Sequence, residues 1–124
     1  MLSDYYQIKN QRTEGDRTVF EIALNPDCRV YRGHFPDMPV APGVCNIQMV
    51  RECVERIAGR PLQLSHITQC KMTTMLTPEQ HPDLQIYIHK FEADEPPFPV
   101  HATIGRDDEV YFILKAEYSI PDPL

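Results

Sequence analysis

In residues 44 to 58, "VCNIQMVRECVERIA", apolar side chains at Ile47, Val50, Val54 and Ile57 recur with the 3.6-residue period of an α-helix, while Gln48, Arg51, Glu52, Glu55 and Arg56 share the opposite face. Pro42 suits the first turn, where its missing N–H is not needed, and Gly59 followed by Pro61 stops the helix. Elsewhere the pattern has period two. Residues 17–25, 64–76 and 83–93 read as strands, by alternation or by richness in β-branched residues, and 99–106 and 110–120 read as two more joined by the turn-like "DDE". A shorter first strand is expected over 4–9. Pro96, Pro97 and Pro99 mark a loop between strands. Two strands, a proline-rich loop, one long helix and four strands make an α+β domain, an antiparallel sheet against one central helix.

The 124 residues are enough for one core and too few for two, so one domain over 1–124 is expected, without repeats, linkers or low-complexity segments. Apolar content of 42% and charged content of 24% are those of a folded globular chain rather than a disordered one. A formal charge of -6 argues against non-specific nucleic-acid binding, which needs a basic face to displace counterions from phosphates. No apolar run approaches the roughly 20 residues that span a bilayer, and "MLSDYYQIKN" lacks a secretory pattern, so a cytoplasmic location is expected. Cys28, Cys45, Cys53 and Cys70 contain no C-x-x-C pair, which predicts free, mostly buried thiols and no metal site.

The candidate chemistry lies in "YRGHFPDMPVAPGV", residues 31 to 44. Prolines at 36, 39 and 42 each fix their own φ and bias the residue before them towards extended geometry, so the loop is stiff and holds His34 in place. Gly43 has no Cβ to keep a ligand from the helix start, whose unpaired N–H groups can polarise a carbonyl or stabilise an oxyanion. The plain alternative is that Pro-Gly starts a helix and His34 ends a strand. Asn46 falls on the apolar side of the helix, where a polar group needs a partner. A structural hydrogen bond is the first reading, and a contact with substrate the second. Cys45 is expected to pack with Met49 and Cys53. His66, His81, His89 and His101 have no metal-ligand spacing and are taken as structural.

The pattern G-H-F-P-x-x-P-x-x-P-G-V, read from Gly33 to Val44, resembles the signature of the β-hydroxyacyl-(acyl carrier protein) dehydratases of the hot-dog fold, and Tyr31, the helix and the later "ITQCKMTTMLTP" are similar to that family as well. The resemblance implies a long helix wrapped by a curved antiparallel sheet, and a homodimer, or a multiple of dimers, with two sites at the interface. It also implies a lyase that needs no cofactor and removes water from β-hydroxyacyl thioesters on acyl carrier protein, or coenzyme A, in fatty-acid or related biosynthesis. His34 would act as a base, the Gly43 amide would hold the thioester oxygen, and Phe35, Pro42, Val44 and Asn46 would lie beside the substrate. The family's acidic residue, fourteen after the histidine, is here Gln48, which has no proton to give at neutral pH. The usual E-x-x-x-Q thus becomes Q-x-x-x-E, and Glu52, one turn on, is either a replacement acid or part of the solvated face. A hot-dog thioesterase and a non-catalytic acyl-binding subunit of a heteromeric dehydratase are the alternatives. Arg29, Arg32, Arg51, Arg56 and Arg60 are candidates for a basic patch facing an acidic carrier.

Overall fold

The computed structural model describes residues 4–28 and 43–121. Among these, β1 (Tyr6–Glu14) and β2 (Arg17–Leu24) form a hairpin, followed by helix α1 (Gly43–Ala58) and by β3 (Gln63–Met72), β4 (Asp83–His89), β5 (Phe98–Arg106) and β6 (Glu109–Ser119). The strands make one sheet in the order β1-β2-β4-β5-β6-β3, with every neighbouring pair antiparallel. No helix among the described residues is long and apolar enough to cross a membrane. The proline loop expected to be stiff, with His34, Phe35, Pro42, Arg29 and Arg32, lies outside the described residues.

The element order is the one that the periodicity predicts; several boundaries differ. The first strand runs from 6 to 14 rather than 4 to 9, because Gly15, at φ 63°, closes a tight turn that lets β1 pair along the whole of β2. Arg12, Glu14, Arg17 and Glu21 form ion pairs across this hairpin, and so many charges hide the alternation. β3 stops at Met72 and β4 at His89, where Lys90 takes a left-handed φ of 34°. Pro99 lies inside β5 instead of in a loop. It is tolerated there because β4 has already ended, its last pair being His89 with His101.

Alternation and register together build the core. Phe20, Ile86, Ile104 and Phe112 face one another across β2, β4, β5 and β6, and Ile88, Ala102 and Leu114 form the next row; all seven are buried. Helix α1 lies over this face, nearest to β4. Its buried positions are Cys45, Asn46, Met49, Val50, Cys53 and Val54, so the stripe is rotated from the expected one and Ile47 and Ile57 are only half-buried. Cysteine and methionine, which fill small gaps as apolar groups, carry the difference. Burying Met49, Val50 and Val54 contributes about 1.5 to 3 kcal/mol each. Gly59, at φ 72°, donates its N–H to the Glu55 carbonyl at 2.8 Å and ends the helix as expected.

Candidate active site

Helix α1 begins at Gly43 with no acidic residue in its first turn, which leaves the positive end of its dipole uncompensated there by its own side chains. A Cβ added to Gly43 would meet only the Met72 methyl, at an ordinary 3.6 Å. Crowding by described protein atoms therefore does not demand glycine here. Val44 is 73% exposed.

Asn46, by contrast, is completely buried, and among the described residues neither its amide nitrogen nor its amide oxygen has a hydrogen-bond partner. No described residue supplies the structural hydrogen bond expected of it. A buried amide left this way costs about 1 to 3 kcal/mol per unsatisfied group, which a bound ligand would recover. Cys45, Met49 and Cys53 are buried on one helix face, as expected, and burial pushes both thiols up from their ordinary value.

One turn further along, the swapped pair meets. Gln48 Nε2 donates to Glu52 Oε2 at 2.9 Å, and Tyr6 Oη, reaching across from β1, donates to Glu52 Oε1 at 2.8 Å. Glu52 is therefore a tied group and not a member of a freely solvated face. Burial, more than any neighbouring charge, pushes the Tyr6 phenol well above the usual tyrosine range, so it stays a neutral donor. Tyr6, Gln48 and Glu52 line a cleft of about 540 Å³, with Arg51, Arg56 and Arg60 around it and Ile8 and Pro61 supplying apolar wall. Arg51 is 3.5 Å from Glu55, whose carboxylate accepts the Leu62 N–H at 2.7 Å. Three of the five candidate arginines thus share one cleft.

Tyr6 is the residue that sequence reading does not reach. It lies 46 positions from Glu52, and no local spacing links a residue of β1 to the middle of the helix. Only the antiparallel pairing of β1 and β2 beside α1 brings them together. Of the four histidines expected to be structural, His89 and His101 lie side by side, with ring centroids 4.5 Å apart and the rings tilted by 32°. Among the described residues no cluster of potential ligands could hold a metal.

A family model described as ApeI-like, ApeI dehydratase, matches residues 10–107. The chain belongs to this dehydratase family. The match spans the proline signature, Gly43, Gln48 and Glu52, and begins after Tyr6. The dehydratase heterocomplex ApeI:P from Xenorhabdus doucetiae superposes with a TM-score of 0.73 at 21% identity, covering 90% of this chain and 96% of that one. An uncharacterized protein from Erwinia carotovora subsp. atroseptica gives 0.62 at 17% identity, over 93% and 92%. No curated protein matches the sequence. At these identities the structural likeness is one of fold, and it identifies the helix and six-stranded sheet of this ApeI-like chain as an α+β hot-dog arrangement.

Proposed function

We propose that this chain is a cytoplasmic β-hydroxyacyl thioester dehydratase, acting on chains carried by acyl carrier protein in fatty-acid or related acyl-chain biosynthesis. The observation that carries the reading is the ApeI-like dehydratase match over residues 10–107, which includes His34 and the helix that follows it. His34 takes the C2 proton, the Gly43 amide and the helix start stabilise the enolate-like thioester oxygen, and the β-hydroxyl leaves as water. Gln48 holds that hydroxyl by a hydrogen bond but gives it no proton, so His34 returns the proton it took. Asn46, three residues beyond Gly43 and without a hydrogen-bond partner among the described residues, is assigned to the substrate together with Phe35, Pro42 and Val44. Arg51, Arg56 and Arg60 face the acidic carrier.

The same reading includes a dimer built on β3. This strand is a sheet edge, and from Ser65 to Met72 every residue is exposed. Ile67 and Met72 stand opposite the buried Ala116 and Phe112 of β6, so they belong to the apolar face of the sheet but are 39% and 40% exposed. Met75 and Val44 are exposed apolar side chains as well. An edge unpaired among the described residues, with apolar side chains, favours a second copy.

A second reading is a non-catalytic subunit paired with an intact relative. It is favoured by Gln48 at the acid position and by the fact that one structural neighbour is a heterocomplex. The deciding measurement is hydration of crotonyl and longer enoyl thioesters, with hydrolysis followed in the same tube. We expect hydration by the wild type and a loss of at least about 100-fold in His34→Ala with the fold intact. Hydrolysis alone would turn the assignment to a thioesterase, and tight acyl binding without turnover would favour the binding subunit.

A further inference from the structure

We propose that Glu52 and Tyr6 are positioning residues that fix the rotation of the Gln48 amide, so that its carbonyl oxygen and not its NH2 group is presented to the substrate hydroxyl. The proposal rests on the acyl-site reading above and deepens it.

The geometry admits only one amide orientation. A carboxylate accepts hydrogen bonds and donates none, whereas a glutamine amide has a donating end and an accepting end. With 2.9 Å between the Gln48 and Glu52 side chains, the end facing Glu52 must be the NH2 group, since the carbonyl oxygen there would set lone pairs against lone pairs. The Gln48 oxygen is left pointing away from Glu52, and no hydrogen bond to it exists among the described residues. Glu52 is itself held, because the Tyr6 phenol supplies a second donor to its other oxygen at 2.8 Å. Tyr6 is almost fully buried, on a strand paired along its length with β2, so this donor is anchored in the sheet. The chain Tyr6 to Glu52 to Gln48 therefore carries orientation from the core to the cleft that all three line.

The chemical consequence concerns the hydroxyl. A fixed acceptor receives the O–H of a β-hydroxyacyl chain but offers nothing to an enoyl or saturated chain at the same carbon. Recognition is then selective for the hydroxylated substrate. An unanchored amide would turn either end outwards and discriminate less.

The test uses the whole protein and a non-hydrolysable thioether analogue of an acyl-pantetheine, in two forms that differ only by the β-hydroxyl, with affinities measured by calorimetry. A neutral hydrogen bond of about 0.5 to 1.5 kcal/mol predicts that the wild type prefers the hydroxylated analogue by about 2- to 10-fold. Glu52→Gln and Tyr6→Phe, both nearly isosteric, should each bring that preference close to one while leaving affinity for the other analogue unchanged. Gln48→Ala should also abolish it, and adding Glu52→Gln to Gln48→Ala should change nothing further. A preference that survives in Glu52→Gln overturns the proposal and leaves the acyl site standing. If the wild type binds neither analogue, the acyl-site reading fails and the positioning role falls with it.

Discussion

A glutamine in contact with a glutamate is one atom type away from a carboxylate pair, and that closeness makes the exchange of Gln48 informative. In Gln48→Glu the two carboxyl groups would meet at the present 2.9 Å separation, where both cannot be ionised without strong repulsion, so the pair keeps one proton to higher pH than an isolated carboxylate does. A retained proton is what a general acid needs. We expect this variant to raise dehydration about 10-fold or more near pH 6, with the gain disappearing as pH rises and the shared proton leaves. A pH profile of turnover for the two proteins checks this, and a gain independent of pH would show that the proton is not responsible. The swapped pair was legible in the sequence because i and i+4 positions always share a helix face. The hold of Tyr6 on Glu52 was not, since it depends on tertiary placement of a strand 46 positions away. Nor was the lack of a partner for Asn46 among the described residues, because a sequence shows that a polar residue falls on an apolar face but not whether the opposing surface offers it a partner.

Among the elements, β3 asks for an explanation. Its residues pair with β6 through two register irregularities, and its other edge is unpaired among the described residues. Helix α1 lies over the apolar face of the sheet, nearest to β4, yet Met72, which continues the row from Phe20 to Phe112 into β3, and Ile67, opposite the buried Ala116, are 40% and 39% exposed. A charge placed there tests the dimer directly. Ile67→Glu should convert a dimer to monomers at micromolar concentration by light scattering. It should cost the isolated chain little, because the side chain is already 39% exposed and surface substitutions usually stay within about 0.5 kcal/mol. An unchanged mass would place the dimer contact elsewhere. Helix α1 was read almost to the residue from its periodicity and its Gly59 stop, whereas its buried stripe was misplaced because cysteines and a methionine do the work expected of isoleucines. β1 was read too short for a related reason. Its ion-paired hairpin is held by register, and alternation is a poor signal where both faces carry charge.

Across the whole molecule, the register that assembles the core also assembles a polar row on the other face of the sheet. Glu14 stands opposite Arg17, Arg17 opposite His89, His89 opposite His101, His101 opposite Lys115 and Lys115 opposite Gln69, a line through all six strands. Two histidines with rings 4.5 Å apart thus lie between two fixed cations. Burial, then His101 and Arg17, hold His89 below the usual histidine value against a smaller opposing pull from Asp16; burial and Lys115 do the same to His101. The sign follows from linkage. A base whose folded value is lowered stays neutral in the native state where the unfolded chain already takes a proton, so stability is full above about pH 6.5 and declines as pH falls through and below that value. The depressed carboxylates Glu14 and Glu21, each ion-paired to Arg12, act in a separate, more acidic window. We therefore expect the urea midpoint to fall between pH 7.5 and about pH 5, and His101→Gln, which removes one titratable imidazole from the row while keeping a polar side chain at an exposed position, to flatten that fall. A wild-type midpoint constant over this range, or a variant that declines as steeply, would show that the row does not govern the acid limb of stability.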